Sequence, residues 1–330
     1  MDINKISAKL NISPSTVRKA LQHKRNVDSL TREQVFSEVG ENAPRAIPGT
    51  KPSVGVVLPS NPYYFCDSVY HGIKNSLPAS VDSHFAFFSS LGSGHEGVHA
   101  INFVQNLDLC IIAPSIAPAV QAKIAELSAD KPIVYVSDGL DTPQIATVCG
   151  NYYDDGFRLG KAYAELFPGR KRILTLHVHN GLGSQMRTNG FKKAVSGAGC
   201  EIVGNIELED ITSSFASVIA RHIHSNYLGK FDCFYCATGA TAHAALALSK
   251  LKLPGDVFCI GYENPSANQP YIENGTIRLL SICSAMQLGQ NAGRIALDYL
   301  LNGLKPDSQT VYVPSEIFVN QEGNLIEKTI

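Results

Sequence analysis

Apolar positions near the start of the chain fall at Ile3, Ile6, Leu10, Ile12, Val17, Ala20 and Leu21. Their spacing of three and four is helical on either side of an interruption, Asn11-Ile12-Ser13-Pro14. Ser13 is a good N-cap, and Pro14 suits a first helical position, where no N–H is needed. The pattern predicts two short helices joined by a tight turn, with Asn11-Ile12-Ser13-Pro14 ending the first and starting the second. A third is expected from Leu30 to about Val39, with Val35, Phe36 and Val39 closing a small core. A head of about fifty residues has a marginal core, so a partner is expected to complete its order.

From Ser53 onward the pattern changes. Strand-like runs appear at 53–58, 84–88, 107–113 and 133–137, and again at 172–178, 200–208, 231–237 and 256–262. Stretches long enough for helices separate most of them. Alternation of this kind implies parallel sheets with right-handed crossovers, and two such series imply two lobes.

Composition fits an ordinary globular chain: 44% of residues are hydrophobic and 17% charged. No apolar run approaches the ~18–20 residues that span a bilayer. The opening MDINKISAKLNIS has no secretory core, so a cytoplasmic location is expected. Charge is uneven. Residues 1–53 carry nine Lys and Arg against five acids, while the whole chain has a net charge of −1. A basic head on an acidic body points to an anionic partner for the head, with nucleic acid the leading candidate.

Most of the chemistry that sequence motifs can announce is missing. The first body strand is followed by neither a phosphate-binding G-x-x-x-x-G-K nor a dinucleotide G-x-G-x-x-G motif. No G-x-S-x-G elbow marks a serine hydrolase. Cys233 and Cys236 have C-x-x-C spacing but sit inside a strand run, where structural packing is expected rather than redox or zinc chemistry. His177 and His179 are placed to share a strand face, with no carboxylate neighbour evident in the sequence. No catalytic residue, cofactor or metal is expected, and the chain is read as a non-enzyme.

Residues 3–35 resemble the DNA-binding head of the LacI/GalR family of bacterial repressors. Ile6, Ala8, Ile12, Ser13, Thr16, Val17, Leu21, Val27, Thr31, Arg32 and Val35 fall in register with that family's pattern. The resemblance implies a helix-turn-helix whose second helix enters the major groove of operator DNA. Pro14, Ser15 and Lys19 would then meet base edges, and Lys19 can donate to guanine. Ser13, Thr16, Lys24, Arg25 and Asn26 would contact phosphates. Arg18 stands where the family has a small Ser, which implies altered base preference or an added phosphate contact. The following segment departs from the family. It is shorter than usual, and Pro44, Pro48, Pro52 and Gly49 oppose the hinge helix that relatives form there. An extended linker is expected, with Arg45-Ala46-Ile47 as a candidate minor-groove wedge.

The body carries further matches in the same order. Asn61, Tyr63, Tyr64 and Phe65 follow the first strand as N-P-F-F does in the family, and are read as a stiff aromatic loop. Val136-Ser137-Asp138, Asn151 with Gly156, Ser184 to Phe191, and Ile260-Gly261-Tyr262-Glu263 match later motifs. The fold class implied is a small all-α helix-turn-helix head followed by a two-lobed α/β body of periplasmic-binding-protein-like type I. The divisions expected are 1–42 for the head, 43–52 for the Pro-rich linker and 53–330 for the effector-binding and dimerisation body. Within the body the N-lobe would take about 53–148 and 278–310, and the C-lobe about 149–277 and 311–330.

The resemblance also implies a homodimer that binds double-stranded operator DNA and a sugar-like effector. Effector candidates are Asn61, Tyr63, Tyr64, Phe65, Asp138, Arg187, Thr238 and Glu263. Arg187 is the clearest, since its fork can grip hydroxyls or a carboxylate. The aromatics could stack on a sugar ring. Thr238-Gly239 replaces the family's Asn-Asp, and Cys283-Ser284 replaces a later Gln-Pro, so a common hexose is less secure as the ligand. The competing expectation is a sugar-binding module or carbohydrate-active enzyme without a working head.

Overall fold

A computed structural model of the chain describes residues 3–21, 27–28, 31, 34–35, 38, 51–60, 63–89, 94–113, 117–178, 181–208, 214–263 and 266–328. Lys24, Arg25, Asn26, the wedge Arg45–Ile47 and Asn61 lie outside these residues.

Helix α1 spans Ile3–Leu10 and α2 spans Pro14–Leu21. Ser13 caps α2 as its sequence position suggests, its Oγ accepting from the Thr16 amide at 3.0 Å. Ile3, Ile6, Val17 and Ala20 are buried, so the two apolar faces meet. Pro14, Ser15 and Lys19 are exposed on the opposite side of α2.

The body forms two compact units. The first contains residues up to Cys149 together with Ala285–Tyr312; the second contains Gly150–Ser284 and Val313–Ile330. In the first unit a six-stranded sheet is built from β1 (Ser53–Pro59), β2 (Asp82–Phe88), β3 (Leu109–Ile112), β4 (Ile133–Val136), β5 (Ala146–Gly150) and β11 (Thr310–Val313). Its order is β2-β1-β3-β4-β5-β11, and β1 to β5 pair in parallel. Strands β1, β3 and β4 are almost wholly apolar because helices cover both their faces. α4 (His95–Val104) and α5 (Pro118–Ser128) bury Ile101, Val104, Val120 and Ile124 against one face. α3 (Tyr63–Ser76) and α11 (Ala285–Asn302) pack together on the sheet as well.

The second unit repeats this winding. Its sheet contains β6 (Arg172–Val178), β7 (Glu201–Leu208), β8 (Cys233–Cys236), β9 (Phe258–Tyr262), β10 (Ile277–Cys283), β12 (Ser315–Gln321) and β13 (Asn324–Lys328). The order is β7-β6-β8-β9-β10-β12-β13, with β6 to β10 parallel and the last two strands antiparallel. α6 (Tyr152–Leu166) and α7 (Leu182–Gly197) supply Leu159, Tyr163, Phe191 and Val195 to the core on one face. α8 (Phe215–His222) and α9 (Thr241–Ser249) supply Phe215, Ile219, Ala244 and Leu248 on the other, and the short α10 (Gln269–Glu273) adds Ile272.

Three expectations are corrected. The sequence assigns residues 278–284 to the N-lobe, yet β10 pairs with β9 and β12 and so belongs to the second sheet. The chain re-enters the first unit only at Ala285. Tyr63, Tyr64 and Phe65, loop residues by sequence, form the first turn of α3. His177 does have a carboxylate neighbour, because β7 brings Glu207 to 3.5 Å of Nε2, and Asn205 lies 3.0 Å from Nδ1. Cross-strand neighbours are invisible in local spacing. The Cys pair shows why C-x-x-C means little inside a strand. Cys233 packs on the α6–α7 face and Cys236 on the α8–α9 face, because residues three apart in a strand point to opposite sides.

Candidate functional site

Strand C-termini of open α/β sheets are where ligands gather. In the second unit, β8 and β9 end at Cys236 and Tyr262, and helix α7 runs beside them. Arg187, on the second turn of α7, meets Glu263 there. Its Nη2 donates to Glu263 Oε1 across 3.5 Å, and each side chain is only 11% exposed. The guanidinium carbon lies 4.1 Å from the Tyr262 ring centre and 5.1 Å from that of Tyr152. Aromatic faces therefore hold the cation as well as the carboxylate does.

A second carboxylate belongs to this cluster. Asp155, on the first turn of α6, is buried, and its Oδ1 accepts from the Ser315 hydroxyl of β12. Burial pushes the Asp155 carboxyl above its ordinary value, while the Ser315 hydrogen bond and Arg187 act the other way. Glu263 is likewise pushed up by burial, with Arg187 opposing. Burial works against the Arg187 charge, but Glu263, Tyr262, Tyr152 and Asp155 more than offset it, and the guanidinium stays charged. Arg187 Nε and Asp155 Oδ2 are buried without a hydrogen-bond partner among the described residues. Such groups are uncommon in folded proteins.

Backbone geometry fixes the cluster. Glu263 has φ 62°, an uncommon left-handed conformation for a non-glycine residue. Its amide donates to the Ser281 carbonyl at 2.9 Å, and its carbonyl accepts from Asn268 Nδ2 at 3.1 Å. Anchored on both sides, the residue is held in a strained state that aims its side chain at Arg187. Helices α6 and α7 cross at glycines. A Cβ on Gly156 would strike the Arg187 carbonyl, and one on Gly190 would strike that of Tyr153. Only this close crossing brings Asp155 and Tyr152 beside Arg187. Asn151 caps α6, accepting from the Asp154 amide at 3.4 Å.

Of the effector candidates, the structure brings Arg187 and Glu263 together. Thr238 lies in the same unit, but its hydroxyl accepts from the Ala240 amide at 3.1 Å and closes the turn into α9. Asp138 belongs to the first unit, one residue past Ser137, which has φ 74° at the end of β4. Strand β4 is third from β2 in its sheet, as β9 is third from β7 in the other. Ser137 and Glu263 are thus strained at corresponding places in the two units. Tyr64 and Phe65 are half-buried at the start of α3. Sequence reasoning missed Tyr152, Asp155, Tyr262 and Ser315. Tyr262 lies within a matched motif, and Tyr152 and Asp155 adjoin Asn151 and Gly156 of another, which was the available signal. Ser315 gave none, being 160 residues from its partner.

Two doubly wound, Rossmann-like units of this order define the fold of the periplasmic-binding-protein class. The chain belongs to the periplasmic binding protein domain family, whose profile matches residues 54–305. Solved structures agree on the fold. The glucose-galactose binding protein GanP of Geobacillus stearothermophilus is 19% identical, with a TM-score of 0.72 over 82% of this chain and 98% of that one. A Bacillus halodurans solute binding protein with bound myo-inositol is 17% identical, with a TM-score of 0.70 over 84% and 98%. A Bacteroides fragilis protein described as a LacI transcriptional regulator is 16% identical, with a TM-score of 0.66 over 82% and 98%. No curated protein sequence matches the chain significantly. No helix among the described residues is long and apolar enough to cross a membrane.

Proposed function

We propose that the chain is a ligand-responsive transcriptional regulator, a cytoplasmic homodimeric repressor of the LacI/GalR type, and that its body senses a sugar or sugar derivative without turning it over. The observation that carries the ligand reading is the buried Arg187 set beside two carboxylates and two tyrosines. Arg187 Nε seeks an acceptor and Asp155 Oδ2 seeks a donor. Hydroxyl groups serve as both, which suits a polyol better than an anion. Solved relatives of the fold include a glucose-galactose binding protein and a protein with bound myo-inositol, which supports the same class of ligand.

Support for the DNA-binding part comes from α1 and α2, the Ser13 cap, and the exposure of Pro14, Ser15 and Lys19 opposite the buried Val17 and Ala20. The basic balance of the head fits a phosphate-rich partner. A two-headed dimer reads a palindromic site more specifically than one short head does.

A second reading is a sugar-binding module without a working head. It is favoured by the number of solute-binding proteins among the fold's relatives. A thermal-shift panel of sugars, polyols and phosphosugars, followed by assay for turnover, tests the ligand reading. Stabilisation by a neutral sugar, abolished by Arg187→Met and without consumption of the sugar, is expected. Catalytic consumption would refute the regulator reading.

A further inference from the structure

The head does not complete its core alone. Leu304, from the turn after α11, is 8% exposed and packs with Ile3, Ile6, Val17, Ala20, Val27 and Val35. It arrives there because Gly303, at φ 63°, ends α11 in a left-handed turn that reverses the chain. The Leu304 amide then donates back to the Asp298 carbonyl at 3.3 Å. Three residues further on, Asp307 takes the Arg18 guanidinium of α2 in an ion pair. A cavity of about 220 Å³ lies along this seam, with Ile3 and Arg18 on the head side and Asp298 and Lys305 on the body side.

Arg18 is one of the residues that the DNA-binding reading sets against the duplex. A guanidinium engaged by a carboxylate of its own chain is not free to meet a phosphate or a base edge. The carboxylate itself would repel the backbone of an approaching duplex. The chain thus carries, in one short turn, an apolar anchor for the head and a competitor for one of its cations.

We propose that Leu304 and Asp307 form an autoinhibitory latch that holds the head on its own body, so that DNA binding requires Arg18 to exchange Asp307 for the nucleic acid. This rests on the DNA-binding reading above. Arg18 and Asp307 side chains are 41% and 64% exposed, so their pair is weak and the latch yields to competition rather than locking.

The test is a double-mutant cycle on the full chain, read by fluorescence anisotropy of a labelled random-sequence duplex at low salt. Asp307→Asn is expected to tighten binding by ~2–5-fold. In an Arg18→Gln background the same change is expected to tighten binding clearly less, because only the repulsion of the carboxylate is left to remove. Tightening of equal size in both backgrounds would mean that only a general repulsion was removed, and would overturn the latch. Salt-dependent binding that Asp307→Asn leaves unchanged overturns the latch alone. Absence of binding by every variant overturns both the latch and the DNA-binding reading.

Discussion

Arg187 concentrates the chemistry of the second unit, and its replacement separates binding from packing. Arg187→Met leaves Glu263 and Asp155 buried without their cation, a loss of about 3–5 kcal/mol in comparable buried pairs. Chemical denaturation should report that loss, and the sugar-induced thermal shift should disappear with it. Glu263→Gln isolates the titration. Burial raises the Glu263 carboxyl above its ordinary value, with Arg187 opposing, so Glu263 protonates more readily in the folded state than in the unfolded one. A group of this kind favours folding below its unfolded value, and that advantage is lost as pH rises through the folded value. The stability of Glu263→Gln relative to the native chain is therefore expected to increase as pH climbs from 4.5. A difference independent of pH would show that Glu263 is ionised at no net penalty. On the head, Lys19→Ala should weaken DNA binding. A base contact would cost roughly 1–3 kcal/mol at one operator position, and a phosphate contact would reduce the salt slope by about one. Unchanged binding and slope would show that α2 lies elsewhere. The residues legible beforehand were those with a motif of their own, Arg187 and Glu263. Asp155 and Ser315 became visible only when strand pairing and helix crossing brought distant segments together.

At the scale of elements, helix crossings decide whether the cluster exists. Gly156→Ala forces α6 and α7 apart at the Arg187 carbonyl. Overpacking of this type costs about 1–3 kcal/mol. It should also weaken sugar binding although no side chain of the cluster has changed. Near-native sugar affinity in a destabilised Gly156→Ala would show that the crossing serves stability alone. The inner parallel strands β1, β3, β4, β6, β8 and β9 were plain in the sequence, because a strand covered on both faces is a continuous apolar run, whereas β2 and β7 lie at sheet edges and are largely exposed or half-buried. The sequence was less clear about β5, β10 and the final strands. Residues 277–283 mix Arg278 and Ser281 into an apolar run, and β11 to β13 are partly exposed. It also lost the start of α3, since Pro62 and three aromatics read as a loop until the helix they open is seen.

For the whole molecule, the family profile covers residues 54–305 of the body and includes neither α1 and α2 nor the last three strands. In the proposed function these parts form one device, in which a sugar taken by the body changes what the head does to DNA. Selection of a duplex from a random pool by the full chain supplies the probe. Anisotropy of that duplex, with and without the sugar that most raises the melting temperature, is the direct measurement. The expected result is binding that weakens steeply between about 50 and about 200 mM salt. Saturating sugar should shift the midpoint by ~5-fold or more. Failure to enrich any sequence would contradict the account, as would a sugar that stabilises the body and leaves the DNA midpoint where it was.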